Sequence, residues 1–375
     1  MPLIQAPMVG SFSPLAIAVG QAGGLGSLAC AALSPAQLHE QVRSIRAATP
    51  APFNLNFFCH RPPERDENIE ARWRARLAPY YAEAGLSPPE GPQGPGRAPF
   101  DDAMCCVVEE VRPAVVSFHF GLPHEALLQR VKDTGALLLS SATTVEEARW
   151  LALRGVDAVI AQGREAGGHR GMFLTDDIEA QPALFALLPQ IVDAVRVPVI
   201  AAGAIADGRG IAAAFALGAS AVQLGTAYLR TPQAGRSRLH QDAVRDARDD
   251  ATRLTNLFTG RPARGLMNRF MREQGPMNPA SPAFPLATGA VDPLRTALEQ
   301  RGSRDFSLLW SGEAAALARE ADAGELTLAL WQEAARRASS LHLPGRARRK
   351  PAGVRLPTPA AARQQQRHSR MPSRS

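Results

Sequence analysis

A chain of 375 residues with 45% hydrophobic content, 31 glycines and 31 prolines is long enough for one large α/β domain of about 250 residues plus an appendage, or for two ordinary domains. That composition excludes a disordered or fibrous protein. The net charge of +7 suggests a polyanion partner until it is located: nine Lys or Arg and no acid follow Pro344, so residues 1–343 carry −2, and a nucleic-acid-binding body is not expected.

Residues 1–38 contain no Asp, Glu, Lys or Arg. They lack a positive n-region, and Gly20, Gly23, Gly24 and Gly26 break the apolar run. They therefore read as buried strand, helix and strand, neither an export signal nor a membrane span. Strands are predicted at 3–7, 25–29, 53–57, 114–118, 136–140, 158–161, 197–202 and 221–224, with helical segments between them. Ser13-Pro14 and Ser34-Pro35 open two of these helices, and Thr144 to Glu147 reads as a capping box. Gly155 closes the helix that Thr144 opens, and Gly135 and Gly218 close two others. The segment 85–99, with five prolines and four glycines, reads as a surface loop, with a lid over the site as the alternative. The four cysteines (Cys30, Cys59, Cys105 and Cys106) form no C-x-x-C pair, so no zinc site, other metal site or disulfide framework is expected, and a reduced, cytoplasmic setting is.

Eight strands alternating with helices predict a closed (β/α)8 TIM barrel over residues 1–229, every strand buried on both faces. After Leu229 the alternation stops. Residues 230–308 read as a smaller, mainly helical second domain, and 309–343 as C-terminal helices packed on the barrel, split at Gly324. Trp310 and Trp331 read as core anchors. Residues 344–375 form an Arg-rich tail with little aliphatic content, expected to be disordered.

Barrel enzymes place their chemistry at the C-terminal ends of the strands. The first exit is Gln5-Ala-Pro-Met8, the third Asn54-Leu-Asn56 and the fourth Ser117-Phe-His-Phe-Gly121. The sixth leads into Gln162-Gly-Arg-Glu-Ala-Gly-Gly-His169, a glycine loop with a single histidine. The seventh and eighth carry Gly203 and Gln223-Leu-Gly-Thr226. Glycines there let backbone N–H groups approach an anion, and a helix starting beyond the turn directs its positive end to the same place. This pattern specifies a phosphorylated ligand and no particular cofactor. The other histidines (His39, His60, His124, His240, His342 and His368) read as surface residues.

In four motifs taken in order, Gln5-Ala-Pro-Met8, Ser117-Phe-His-Phe-Gly121, Gln162 to His169 and the long segment 201–229, the chain resembles the nitronate monooxygenases (formerly 2-nitropropane dioxygenases), FMN-dependent barrels related to flavin enoyl-reductases. The resemblance runs over roughly residues 1–341. It implies that FMN is surrounded by Met8, Asn56, Gln162, Gly167, Gly203, Ala204, Gln223, Leu224, Gly225 and Thr226. The Gly203 turn and residues 223–226 would hold its phosphate, and His169 would face the substrate as a cation or hydrogen-bond donor. His119 and Phe284 would line the same cavity. Lys132 reads as a solvated helix lysine, with a place near the flavin ring as the alternative. Three departures stand out: Ala204 where the family usually has a second glycine, Glu313 after Gly312 where it has glutamine, and Phe284 where a tyrosine is common.

The implied reaction is oxidation of an alkyl nitronate, such as propionate 3-nitronate, by dioxygen to a carbonyl compound plus nitrite or nitrate. The partners expected are a small anionic substrate and dioxygen, with no nucleic acid and no membrane, in a monomer or homodimer. Two other readings stay open. One is an NAD(P)H-dependent flavin reductase acting on an enoyl thioester or quinone; the other is a non-redox barrel binding a sugar phosphate.

Overall fold

The barrel strands are β1 (Leu3–Gln5), β2 (Gly26–Ala29), β3 (Phe53–Phe58), β4 (Val115–His119), β5 (Leu137–Ala142) and β6 (Ala158–Gln162). A two-residue strand, β7 (Gly168–His169), precedes β8 (Val199–Ala202) and β9 (Ala221–Leu224). The parallel sheet runs β1-β9-β8-β6-β5-β4-β3-β2, and a parallel bridge between Ile4 and Leu25 closes the ring. The chain is therefore a TIM barrel. This computed structural model describes residues 1–90 and 97–340. The Arg-rich tail and residues 91–96 of the proline-rich loop lie outside the described residues.

Alternation along each strand sorts the side chains. Val159, Ala161, Val199, Ala201, Val222 and Leu224 join the apolar layer between sheet and helices. Their neighbours Ala158, Ile160, Ile200 and Ala202 cluster with Ile4, Val115 and Leu139. Those residues come from opposite sides of the ring, so they fill its interior. The inward set ends, at the C-terminal rim, with Asn56, Phe58, Ser117, His119, Ser141, Gln162 and Gln223. Sequence periodicity thus delivers polar side chains to one end of the barrel.

The first 38 residues fold as strand, helix Ser13–Gln21 and strand, which accounts for their lack of charge. Ser34 caps its helix with a full capping box through Gln37. Thr144 accepts from the Glu147 amide at 3.2 Å, but the Glu147 carboxylate does not complete the box. It accepts instead from the amides of Thr143, Phe173 and Leu174 at 2.7, 2.6 and 3.1 Å, which ties the loop after β6 to the barrel.

The region after Leu229 contains helices Arg238–Arg245, Arg269–Gln274 and Thr288–Gln300. It also holds a hairpin that periodicity does not announce: β10 (Thr252–Thr255) and β11 (Ala263–Leu266). Strand β11 pairs antiparallel with β7, Ala263 opposite His169 and Arg264 opposite Gly168. The histidine expected in a glycine loop is therefore held in a three-stranded sheet. Among the described residues the C-terminal region forms one α-helix, Ala323–Ser340. Asp322 accepts from the amides of Gly324 and Glu325 at 2.8 and 3.1 Å, so Gly324 sits inside a capped first turn and separates nothing. Among the described residues no helix is long and apolar enough to cross a membrane, and no group of His, Cys, Asp or Glu could hold a metal ion.

Candidate active site

The inward-facing rim residues open on one cavity, which encloses about 1320 Å³ including its mouth. Met8, Asn56, Gln162, Gly167, Gly203, Ala204, Gln223, Gly225, Thr226, His119 and His169 all line it. Leu224 does not: alternation turns its side chain into the outer core, leaving only its backbone near the site. Phe284 is buried one layer back, its ring 5.2 Å from that of His169. Lys132 donates to the Arg154 carbonyl at 2.9 Å in an exposed position remote from the cavity lining.

The exits of β8 and β9 form one end. Gly203 and Ala204 have φ of +128° and +52°, so the strand turns sharply and presents its amides to the cavity. Among the described residues the N–H groups of Gly203, Ala204, Gly225 and Thr226 donate to no backbone acceptor. The Thr226 hydroxyl accepts from the Gly312 amide at 2.8 Å, which leaves its own proton free to donate. The helix Gly208–Ala216 takes no part in this cradle, contrary to expectation. Asp207 accepts from the amides of Arg209 and Gly210, and Glu333 from that of Gly208, so the positive end of the helix is already satisfied.

Arg236 and His240 complete the same end and were not apparent as site residues. The Arg236 guanidinium donates to the Val9 carbonyl at 3.0 Å, to Ala234 at 3.1 Å and to the Ser11 hydroxyl at 2.9 Å, and no carboxylate contacts it among the described residues. His240, read as a surface residue, is buried and neutral; burial, then the Arg236 charge, lower its pKa to about 4. His60 departs from the same expectation: it is buried against Phe284 at 4.8 Å, and burial, then Arg261, bring it to about 4. Two isolated histidines without a sequence period carry no signal of burial. A phosphate-bearing flavin fits this end: free amides, a free hydroxyl proton and an acid-free guanidinium converge there.

The other end is built around His169. Gln162 donates to the His169 carbonyl at 3.0 Å and accepts from the Gly171 amide at 2.8 Å, so its amide fixes the loop. Arg170 is fully buried and donates to Gln181, Gly163 O and Gln162 O at 2.7, 2.5 and 2.9 Å. Gly167 lies so close to the next segment that a Cβ there would meet Gly312 N at 2.5 Å. His119 Nε2 faces the His169 carbonyl at 3.1 Å and Nδ1 faces Ser141 Oγ at 3.1 Å. The proton therefore sits on Nε2, and both nitrogens are engaged. Trp310, read as a core anchor, instead lines the cavity 5.6 Å from His169.

His169 cannot serve as a cation near neutral pH. Desolvation, then the charge of Arg97, hold its pKa well below the ordinary histidine value, so the imidazole is neutral. Nε2 lies 2.9 Å from the Thr259 hydroxyl, and Nδ1 is left to the cavity. Arg97 also lines this end. The surface-loop reading of the proline-rich segment did not place it there, and its composition singles out no residue for the site.

These features define the class: a TIM-barrel enzyme with one cavity at the C-terminal ends of its strands. The nitronate monooxygenase family model matches residues 1–333, and the chain belongs to that family. It is 42% identical over 335 residues to a nitronate monooxygenase of Pseudomonas aeruginosa, covering 88% of this chain and 95% of that protein. A relative of the same description in Paraburkholderia phytofirmans is also 42% identical, covering 88% and 92%. The crystal structure of nitroalkane oxidase from Streptomyces ansochromogenes is similar with a TM-score of 0.84 and 40% identity, covering 91% of this chain and 98% of that one. The chain is an oxidoreductase of a flavin-dependent family that oxidises nitronates.

Proposed function

We propose that the chain uses FMN and dioxygen to oxidise alkyl nitronates, propionate 3-nitronate among them, to a carbonyl compound plus nitrite or nitrate. The observation that carries this reading is the cavity's charge: among the described residues its lining includes Arg97 and Arg236 and no Asp or Glu, which suits an anionic cofactor and an anionic substrate together. FMN would supply the electron transfer to dioxygen. Its phosphate would lie on the amides of Gly203, Ala204, Gly225 and Thr226, with Arg236 beside them. Met8, Asn56, Gln162, Gly167 and Gln223 would border the rest. The barrel, residues 1–229, would carry the flavin, and residues 230–308 and 309–343 would cover it.

A nitronate arrives already deprotonated, so the protein needs no base. His169 would act as a neutral donor: with the Thr259 hydroxyl donating a hydrogen bond to Nε2, the ring proton would lie on Nδ1, toward the substrate. His119 and Gln162 hold the His169 backbone, and the aromatic walls of Phe58 and Trp310 keep water away. The test is oxygen uptake with propyl-1-nitronate and nitrite in the products. Absence of both from flavin-loaded protein removes the reading.

A further inference from the structure

We infer that Arg97, rather than a histidine, supplies the positive charge that pairs with the nitronate group of the substrate. This rests on the proposed function and adds a residue to it. At the substrate end of the cavity there is a negative charge to balance and, with His169 neutral, no cationic histidine to do so. Arg97 lines the cavity. Among the described residues its Nε is buried without a hydrogen-bond partner, and Nη1 has the Thr288 hydroxyl alone, at 3.4 Å. The acid acting on it, Asp292, is itself bonded by Arg295 at 3.0 Å.

The second guanidinium near this end is engaged elsewhere. Arg261 donates to the Met172 carbonyl and stacks over the Phe120 ring at 4.1 Å, and it is absent from the cavity lining. A nitronate presents two oxygens on one nitrogen, the planar pair that a guanidinium fork matches bidentately. A half-buried guanidinium whose Nε is buried without such a partner carries a cost, and a bound anion removes it. Arg97 and the Nδ1–H of His169 would then hold one anionic group between them, the first by charge and the second by direction.

The experiment uses the full, flavin-loaded chain with three compounds: propyl-1-nitronate, its neutral conjugate 1-nitropropane as a competing ligand, and propionate 3-nitronate. Arg97→Met should raise the apparent Kd for propyl-1-nitronate, read from anaerobic flavin reduction, roughly 30-fold. Binding of neutral 1-nitropropane should change less than about twofold, and Arg97→Lys should recover much of the loss. Equal weakening of the neutral and anionic ligands, or no weakening, overturns the inference. So does a loss confined to propionate 3-nitronate, which would assign Arg97 to the carboxylate. Should Arg97→Met fail to fold, Arg97→Gln carries the same comparison. Wild-type protein that leaves nitronates unoxidised would instead defeat the functional reading itself.

Discussion

Individual residues set the electrostatic character of this site, and His169 is the clearest case. A histidine in a glycine loop invites the reading of a tunable cation, yet burial among Arg97, His119 and Arg261 keeps it neutral. Thr259, fully buried, lies 2.9 Å from Nε2 and engages that nitrogen, leaving Nδ1 to the cavity. Thr259→Val should lower kcat/KM for propyl-1-nitronate about tenfold, the worth of one hydrogen bond to an anion, with flavin content unchanged. Thr259→Ser should stay near wild type, and an inert Thr259→Val would remove the hydroxyl from the account. Ala204 is the second case. Its φ of +52° is a conformation that an L-residue adopts at a cost of about 1 kcal/mol or more. Ala204→Gly should therefore raise unfolding stability by about 1 kcal/mol, read as a shifted denaturant midpoint, and a lowered midpoint would contradict it. Glu313, another departure from the family pattern, pairs with Arg264 at 3.0 Å at the back of the hairpin.

At the level of elements, what was legible depended on whether burial left a period in the sequence. Parallel barrel strands are covered on both faces, so they appear as short apolar runs, and each of the eight was visible as one. The rim residues followed, because the inward set is every second position. The hairpin of β10 and β11 left no such trace: Thr252–Thr255 and Ala263–Leu266 each contain an arginine, and Arg264 is buried by pairing and carbonyl contacts rather than by apolar neighbours. Without that hairpin, the pairing that holds His169 could not be foreseen. Arg236 and Arg97 were hidden for a related reason, since a half-buried arginine in an irregular segment looks like a solvated one. The crossing of the Gly167 loop and Gly312 is similarly tertiary. A Cβ at Gly167 would meet backbone atoms of Ser311 and Gly312 at 2.7 and 2.5 Å, which cannot yield as a side-chain end would. Gly167→Ala should yield protein that retains much less flavin than wild type, read as the ratio of visible to ultraviolet absorbance. Full retention would show that this crossing does not shape the cofactor end.

The molecule as a whole is a barrel whose active-site cavity, acid-free among the described residues, stands apart from a surface rich in ion pairs. Burying neutral histidines in that interior makes stability depend on pH in one direction. His60 and His240 have folded pKa values of about 4, below the ordinary unfolded value of about 6.5. Their contribution is complete above that value and is lost as the pH falls toward 4, because the unfolded chain takes up protons that the folded chain refuses. Each should remove up to about 1.4 kcal/mol per pH unit across that window. Denaturant midpoints measured at pH 7, 6, 5 and 4.5 should fall progressively, and a flat profile would refute the burial of neutral imidazoles. The central claim is that the cavity joins a flavin to an anionic nitronate. The direct measurement is a visible spectrum of the FMN-reconstituted chain during anaerobic titration, with propyl-1-nitronate in one cuvette and NADPH in another. The account predicts a flavin spectrum that bleaches with the nitronate and persists with NADPH. Protein that binds no flavin, or flavin that bleaches with NADPH and ignores the nitronate, would contradict it.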